Sequence, residues 1–99
     1  MNPANMQLEG LYVAVAALIS VLREKGTVSA QEIEGALRAA EDKLATDPAR
    51  PTKLPDANLD AICFPLRFLR QANKAASEGR ELSFSEIATL VGQTKPDLR

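Results

Sequence analysis

The residues that most often carry catalysis or bind metals are scarce in this chain. It contains no histidine, and Cys63 is its one cysteine. Zinc sites of cysteine and histidine, haem ligation by histidine, Ser-His-Asp triads and Cys-His pairs are therefore excluded. The five glycines form neither a G-x-G-x-x-G motif nor a phosphate-binding loop. We expect no metal, no cofactor and no enzymatic activity.

Two glutamates stand where acid–base chemistry could be suspected, Glu32 and Glu86. Each lies three residues after a serine, Ser29 or Ser83, at the beginning of an apolar segment of helical period. This spacing is that of a capping box, in which serine and glutamate side chains bind the free backbone N–H groups of a helix start. Both glutamates are therefore interpreted as structural.

Cys63 lies in an apolar run, one helical turn before Arg67. An exposed thiol beside an arginine would favour the reactive thiolate, whereas a thiol among apolar residues packs as a small hydrophobic group. The apolar neighbours favour the second interpretation. Because a lone cysteine cannot form an intrachain disulfide, we expect a reducing, cytoplasmic location.

One side of the third predicted helix carries a basic cluster of Arg67, Arg70 and Lys74, with Phe64 and Phe68 beside it. Arginines in such a place can bind carboxylate or phosphate, with a phenylalanine contact alongside. The net charge of −1 gives no general attraction to nucleic acid or to anionic membranes. An ordinary solvated helix face is the simpler interpretation, and binding of nucleic acid or another anion is the alternative function.

The segment LSFSEIATLVGQTK, residues 82–95, resembles the opening helix and turn of helix-turn-helix DNA-binding proteins. The resemblance covers about a dozen residues, in which an E-I-A-x-x-V-G pattern would precede the recognition helix. Seven residues follow Gly92 in this sequence, and Pro96 is among them. They leave no room for a recognition helix, so we interpret the segment as a short capped helix.

The composition predicts an all-α domain. Apolar residues make up 45% and charged residues 25%, as in folded soluble proteins, while aromatic residues are 4%, so we expect a core of Leu, Ile, Val and Ala. Every apolar stretch has the helical period, and no alternating run bounded by turn residues indicates a strand. We predict one domain over residues 1–99, a small four-helix bundle of two αα-hairpins.

Turn residues divide this bundle. Residues 1–5 and 93–99 are expected to be frayed, and the proline-rich segment 46–56 is expected to form a crossover between the hairpins. The third helix should begin near Asp56 and either kink at Pro65 or divide there into two helices. The segments VSAQEIEGAL and LSFSEIATLV align, either because the hairpins are duplicated or because both follow the same capping rules.

The first predicted helix, Leu8–Lys25, is expected to be the central element. Its core-facing stripe would consist of Leu8, Leu11, Tyr12, Val15, Leu18, Ile19 and Leu22. Because the opposite side is also apolar, we predict that it forms a homodimer interface, with coverage by the last helix as the competing possibility. The apolar run from Leu11 to Leu22 is shorter than the roughly 18 to 20 residues that span a bilayer, so no membrane helix is expected.

These observations favour a non-enzymatic module for protein–protein interaction or regulation. We expect a homodimer through the first helix, a possible further protein partner, no nucleic acid and no membrane. The candidate interaction residues are Val13, Ala17, Val21, Phe64, Arg67, Phe68, Arg70 and Lys74.

Overall fold

The computed structural model describes residues 3–50 and 54–94, which form four α-helices. They are α1 (Pro3–Glu24), α2 (Ala30–Ala45), α3 (Asp56–Ser77) and α4 (Phe84–Gln93). No strand occurs within these described ranges. The prediction of an all-α fold with four helices is confirmed.

The predicted capping boxes begin α2 and α4. The Ser29 hydroxyl accepts a hydrogen bond from the backbone N–H of Glu32 at 3.0 Å, and the Glu32 carboxylate accepts one from the backbone N–H of Ser29 at 2.8 Å. Ser83 and Glu86 repeat the arrangement at 3.1 and 2.8 Å. These bonds satisfy N–H groups that have no partner within the helix, so both glutamates have the structural role expected for them.

Removal of either cap should destabilise the fold measurably. We expect Ser29→Ala and Ser83→Ala each to lower the free energy of unfolding by about 0.5–2 kcal/mol, the usual result of losing an N-cap. The measurement is urea unfolding followed by circular dichroism. Ser85→Ala is the matched control, because Ser85 is exposed in the first turn of α4 and caps nothing. An equal loss in the control would show that the helix starts are not held by these hydroxyls.

Several helix ends differ from their predicted positions. Because α1 begins at Pro3, residues 3–5 are helical rather than frayed; proline suits a first helical position, where its missing N–H costs nothing. Gly26 and Gly79 follow the ends of α1 and α3 with φ of 74° and 76°, the left-handed conformation that favours glycine. At the other end, α4 includes Gln93 and has Thr94 as its C-cap. Residues 1–2 and 95–99 of the predicted frayed ends lie outside the described ranges.

The connection between α2 and α3 lies in the proline-rich segment. α2 ends at Ala45 and α3 begins at Asp56, while residues 51–53 of the connection lie outside the described ranges. α3 continues as one helix through Pro65, so its division into two helices is wrong. The predicted kink at Pro65 stays a prediction.

α3, rather than α1, is the central helix. It contacts α1, α2 and α4, and its contact with α2 is the most extensive. α1 and α2 make little contact with each other despite the short turn between them, so the arrangement as two hairpins stays a prediction. No residue of α1 is buried, whereas five residues of α3 are buried: Cys63, Phe68, Leu69, Asn73 and Ala75.

A cluster of the chain's four aromatic residues explains how α1 is placed. It joins Tyr12 of α1 and Phe84 of α4 to Phe64 and Phe68 of α3. The ring centroids are 5.3 Å apart for Tyr12 and Phe68 and 4.8 Å apart for Phe68 and Phe84, within the range of favourable aromatic contacts. The rings bury large apolar areas, so α1 turns the side that carries Tyr12 toward α3 and α4.

The inward side of α1 therefore matches the predicted stripe only in part, at Tyr12, Val15 and Ile19. Tyr12, Val15, Ala16 and Ile19 pack against the core, while leucines assigned to that stripe lie exposed: Leu8, Leu11, Leu18 and Leu22. The observed inward side is rotated from the predicted one by roughly 50°, about a seventh of a helical turn. Since α1 is apolar nearly all round, aromatic packing decided its orientation.

Candidate functional site

The exposed side of α1 is an apolar surface within the described ranges. We call it the outer face, and it comprises Met6, Leu8, Gly10, Leu11, Val13, Ala14, Ala17, Leu18, Val21 and Leu22. All seven large hydrophobic side chains that are exposed in the described ranges belong to it, with exposed fractions from 42% to 66%. Soluble monomers rarely gather such residues into one patch, and a contiguous apolar patch marks a contact surface.

Three small residues and one valine form the middle of the outer face. Gly10, Ala14, Ala17 and Val21 are spaced by four, three and four residues, so they lie in a line along the helix, which we call the seam. A side chain added at Gly10 would meet no atom within 4 Å, so the seam is open. Larger side chains flank it on both sides: Leu11, Leu18 and Leu22 on one, Met6 and Val13 on the other. The predicted contact residues Val13, Ala17 and Val21 all lie exposed on this face.

α1 is also long and apolar enough to cross a membrane by length and composition. The helix has 22 residues, so the sequence-based argument, which counted only the run from Leu11 to Leu22, underestimated its length. Core helices of soluble proteins and signal sequences near an N-terminus share these properties. Length and composition alone therefore do not place α1 in a membrane.

Arg67 and Arg70 of the predicted basic cluster form ion pairs with α2 and with Asp60 of α3. Arg67 donates from Nε to Glu41 at 2.7 Å and from Nη1 to Asp60 at 3.1 Å. Arg70 donates from Nη1 to Glu41 and from Nη2 to Glu34, both at 2.8 Å. Glu41, only 8% exposed, thus accepts hydrogen bonds from both arginines. We call these five residues the ion-pair network.

Hydrogen bonding favours the charged forms of three residues of the network, Glu34, Arg67 and Arg70. The hydrogen bonding that Arg70 donates to Glu34 raises the pKa of Arg70, and it lowers the pKa of Glu34. Burial by itself would lower the pKa of Arg67, but its bonds to Glu41 and Asp60 raise it above the ordinary value. Because the pKa of Glu34 is lower in the folded state, its contribution to stability is present above its ordinary pKa and is lost as the pH falls through the lowered value.

The remaining candidate residues have other roles. Phe68 is 2% exposed and Phe64 is half-buried beside Tyr12, so the two phenylalanines belong to the core rather than to a binding surface. Lys74 is exposed at a surface depression of about 480 Å³ between α2 and α3. Arg67 and Arg70 also line that depression, where carboxylates already bind them. The predicted use of Arg67 and Arg70 as free anion-binding groups is therefore not supported by their contacts.

Cys63 has no exposed surface, which confirms its interpretation as a small buried hydrophobic group. Burial raises the pKa of its thiol, so the unreactive protonated form is favoured. Within residues 3–50 and 54–94, no group of three or more acidic or cysteine side chains could hold a metal ion.

Sequence reasoning missed two buried polar residues, Glu41 and Asn73. Asn73 accepts a hydrogen bond from Arg23 of α1 at 2.8 Å and donates one to the carbonyl of Ala30 of α2 at 3.0 Å, so it joins three helices. No sequence signal indicates this role. Glu41 could have been found, because Glu34 and Glu41 are seven residues apart and share a helix side that matches the basic cluster.

Comparison with known proteins gives this chain no relative. No protein-family model matches it, and searches of curated proteins and of solved structures found no similar chain.

Proposed function

We propose that this protein is a non-enzymatic, cytoplasmic module for protein–protein interaction, and that its contact surface is the outer face of α1. The observation that carries the proposal is that every exposed large hydrophobic side chain in the described ranges lies on that one helix. Removal of apolar surface from water contributes about 25 cal/mol per Å², so a partner that covers the face gains affinity from it. The lone, buried Cys63 is in keeping with a reducing compartment.

The way α1 is held supports a contact role. Its inner side is fixed to α3 by the aromatic contacts of Tyr12 and by the hydrogen bond from Arg23 to Asn73. The outer face is thus presented by a preformed helix, which lowers the entropic cost of binding. The only charged residue between Met6 and Leu22 is Glu9, which is half-buried and shares the inward side with Tyr12. A partner with an apolar helix or groove therefore fits this face.

Anion or nucleic-acid binding, the alternative, receives less support. A phosphate approaching Arg67 or Arg70 would have to displace Glu41 or Glu34 from short ion pairs. Within the basic cluster only Lys74 is exposed, and a single charge provides little affinity for nucleic acid.

Site-specific photo-crosslinking in the cells that make this protein tests the proposal. A photoreactive amino acid at Leu18, in the outer face, is compared with one at Ala39, an exposed position of α2. We expect crosslinks to protein from position 18 and few or none from position 39. Absence of protein crosslinks at position 18, or equal yields at the two positions, would contradict the proposal. Crosslinks from position 18 to lipid would replace it with a membrane function.

A further inference from the structure

We infer that the outer face of α1 binds a second copy of this chain, through an antiparallel pair of α1 helices. The inference rests on the proposed function and names the partner for it. It is carried by the order of residues along the seam, by the area of the outer face and by the distribution of charge.

The seam is complementary to itself when one copy is reversed. Its spacings of four, three and four residues read the same in both directions. A twofold axis perpendicular to α1, midway between Ala14 and Ala17, brings Gly10 of one copy opposite Val21 of the other. The largest seam side chain then meets the smallest, and the helices approach evenly at about 8–10 Å. A parallel pair would instead set Val21 against Val21 and separate the helices at that end.

The area of the outer face suits a weak, reversible dimer. From Met6 to Leu22 the helix rises about 24 Å, and the outer half of a cylinder about 10–12 Å in diameter over that length has roughly 400 Å². Two copies would together bury at most on the order of 800 Å², a size typical of weak, transient contacts rather than of permanent complexes. The dimer is therefore expected at high micromolar concentration.

The charge distribution favours a second copy over a membrane surface. Helices that bind membrane surfaces carry lysines and arginines on their polar side. The only basic residue of α1 is Arg23, and its guanidinium donates to Asn73 and Ser20 instead. In the antiparallel pair, each helix N-terminus lies near the partner's C-terminus, so the opposed helix dipoles attract.

The oligomeric state in solution tests the inference directly. We expect sedimentation velocity and light scattering to show a dimer of the full chain at high micromolar concentration. Ala17→Glu, which puts a charge in the seam, should weaken dimerisation at least 100-fold, and Ala39→Glu on α2 should leave it unchanged.

Gly10→Leu provides a second seam variant, because a side chain there meets no atom of its own chain within 4 Å but blocks the close approach of two chains. Both seam variants should keep the helical circular dichroism of the parent. A folded monomer at high micromolar concentration, or dimers of unchanged strength in both seam variants, would overturn the inference.

Disulfide trapping tests the antiparallel orientation. Gly10→Cys and Val21→Cys chains are made separately, mixed and oxidised, with the buried Cys63 left in place. We expect disulfides between unlike chains, because residue 10 of one copy faces residue 21 of the other. Predominant disulfides between like chains would contradict this orientation.

The two proposals fail in distinguishable ways. Crosslinks from position 18 to another protein, with a chain that stays monomeric, would overturn the homodimer and leave the interaction module standing. A monomer with no protein crosslinks would overturn both. Co-sedimentation of the monomer with phosphatidylserine-containing vesicles would contradict both and assign the face to a membrane.

Discussion

Phe68→Ala should lower the free energy of unfolding by about 3–5 kcal/mol, the usual loss when a buried phenylalanine is truncated. Phe68 is 2% exposed, and its ring contacts those of Tyr12, Phe64 and Phe84 at centroid distances from 4.8 to 6.3 Å. Its removal opens a cavity where α1, α3 and α4 meet. Because small domains have total stabilities of about 5–15 kcal/mol, we expect a partly unfolded variant with a much lower melting temperature.

Leu18→Ala is the matched control for this prediction. Leu18 is 66% exposed, although the sequence placed it in the core, so its truncation at low micromolar concentration should cost less than about 0.5 kcal/mol. Urea unfolding monitored by circular dichroism measures both variants. Similar losses for the two would mean that α1 turns its leucine side inward after all.

Glu41→Gln should lower the free energy of unfolding by about 3 kcal/mol, because removal of one partner leaves other buried charges without compensation. Glu41 accepts hydrogen bonds from Arg67 and Arg70, whose side chains are only 14% and 25% exposed. Glutamine keeps the size of the side chain but offers one oxygen and no charge. Arg67 and Arg70 would retain Asp60 and Glu34 respectively, which limits the loss.

The control for Glu41→Gln is Glu78→Gln. Glu78 pairs with Arg80 at 2.9 Å, but both side chains are nearly half exposed, and such surface pairs contribute about 0–1 kcal/mol. Chemical unfolding at pH 7 compares the two variants. If Glu41→Gln costs no more than Glu78→Gln, the ion-pair network contributes no more to stability than an exposed pair.

The sequence by itself determined the helices and the turns between them. Ser29 and Ser83 begin helices, while Gly26 and Gly79 follow helix ends, as their residue types predict. These features depend on residues within about four positions of one another, so they can be predicted from the local sequence. The burial of Cys63 was predicted in the same way, from its apolar neighbours.

Only the tertiary structure decided which side of α1 faces inward. The helix is apolar nearly all round, so hydrophobic periodicity could not choose between its sides. The choice came from Tyr12, which packs with Phe68 and Phe84, and from Arg23, which binds Asn73. Those partners lie on other helices, far along the chain.

The tertiary structure also decided whether the arginines of the basic cluster are available to bind a ligand. The sequence places Arg67 and Arg70 on one side of α3, but Glu41 and Glu34, which bind them, lie 26 to 36 residues away on α2. Packing of α2 on α3 places these two arginines in ion pairs. Aromatic packing leaves leucines of α1 exposed. Local sequence determines where helices form. Which helix surfaces stay exposed depends on how well the sides of distant helices complement one another, and this complementarity exists only in the folded chain.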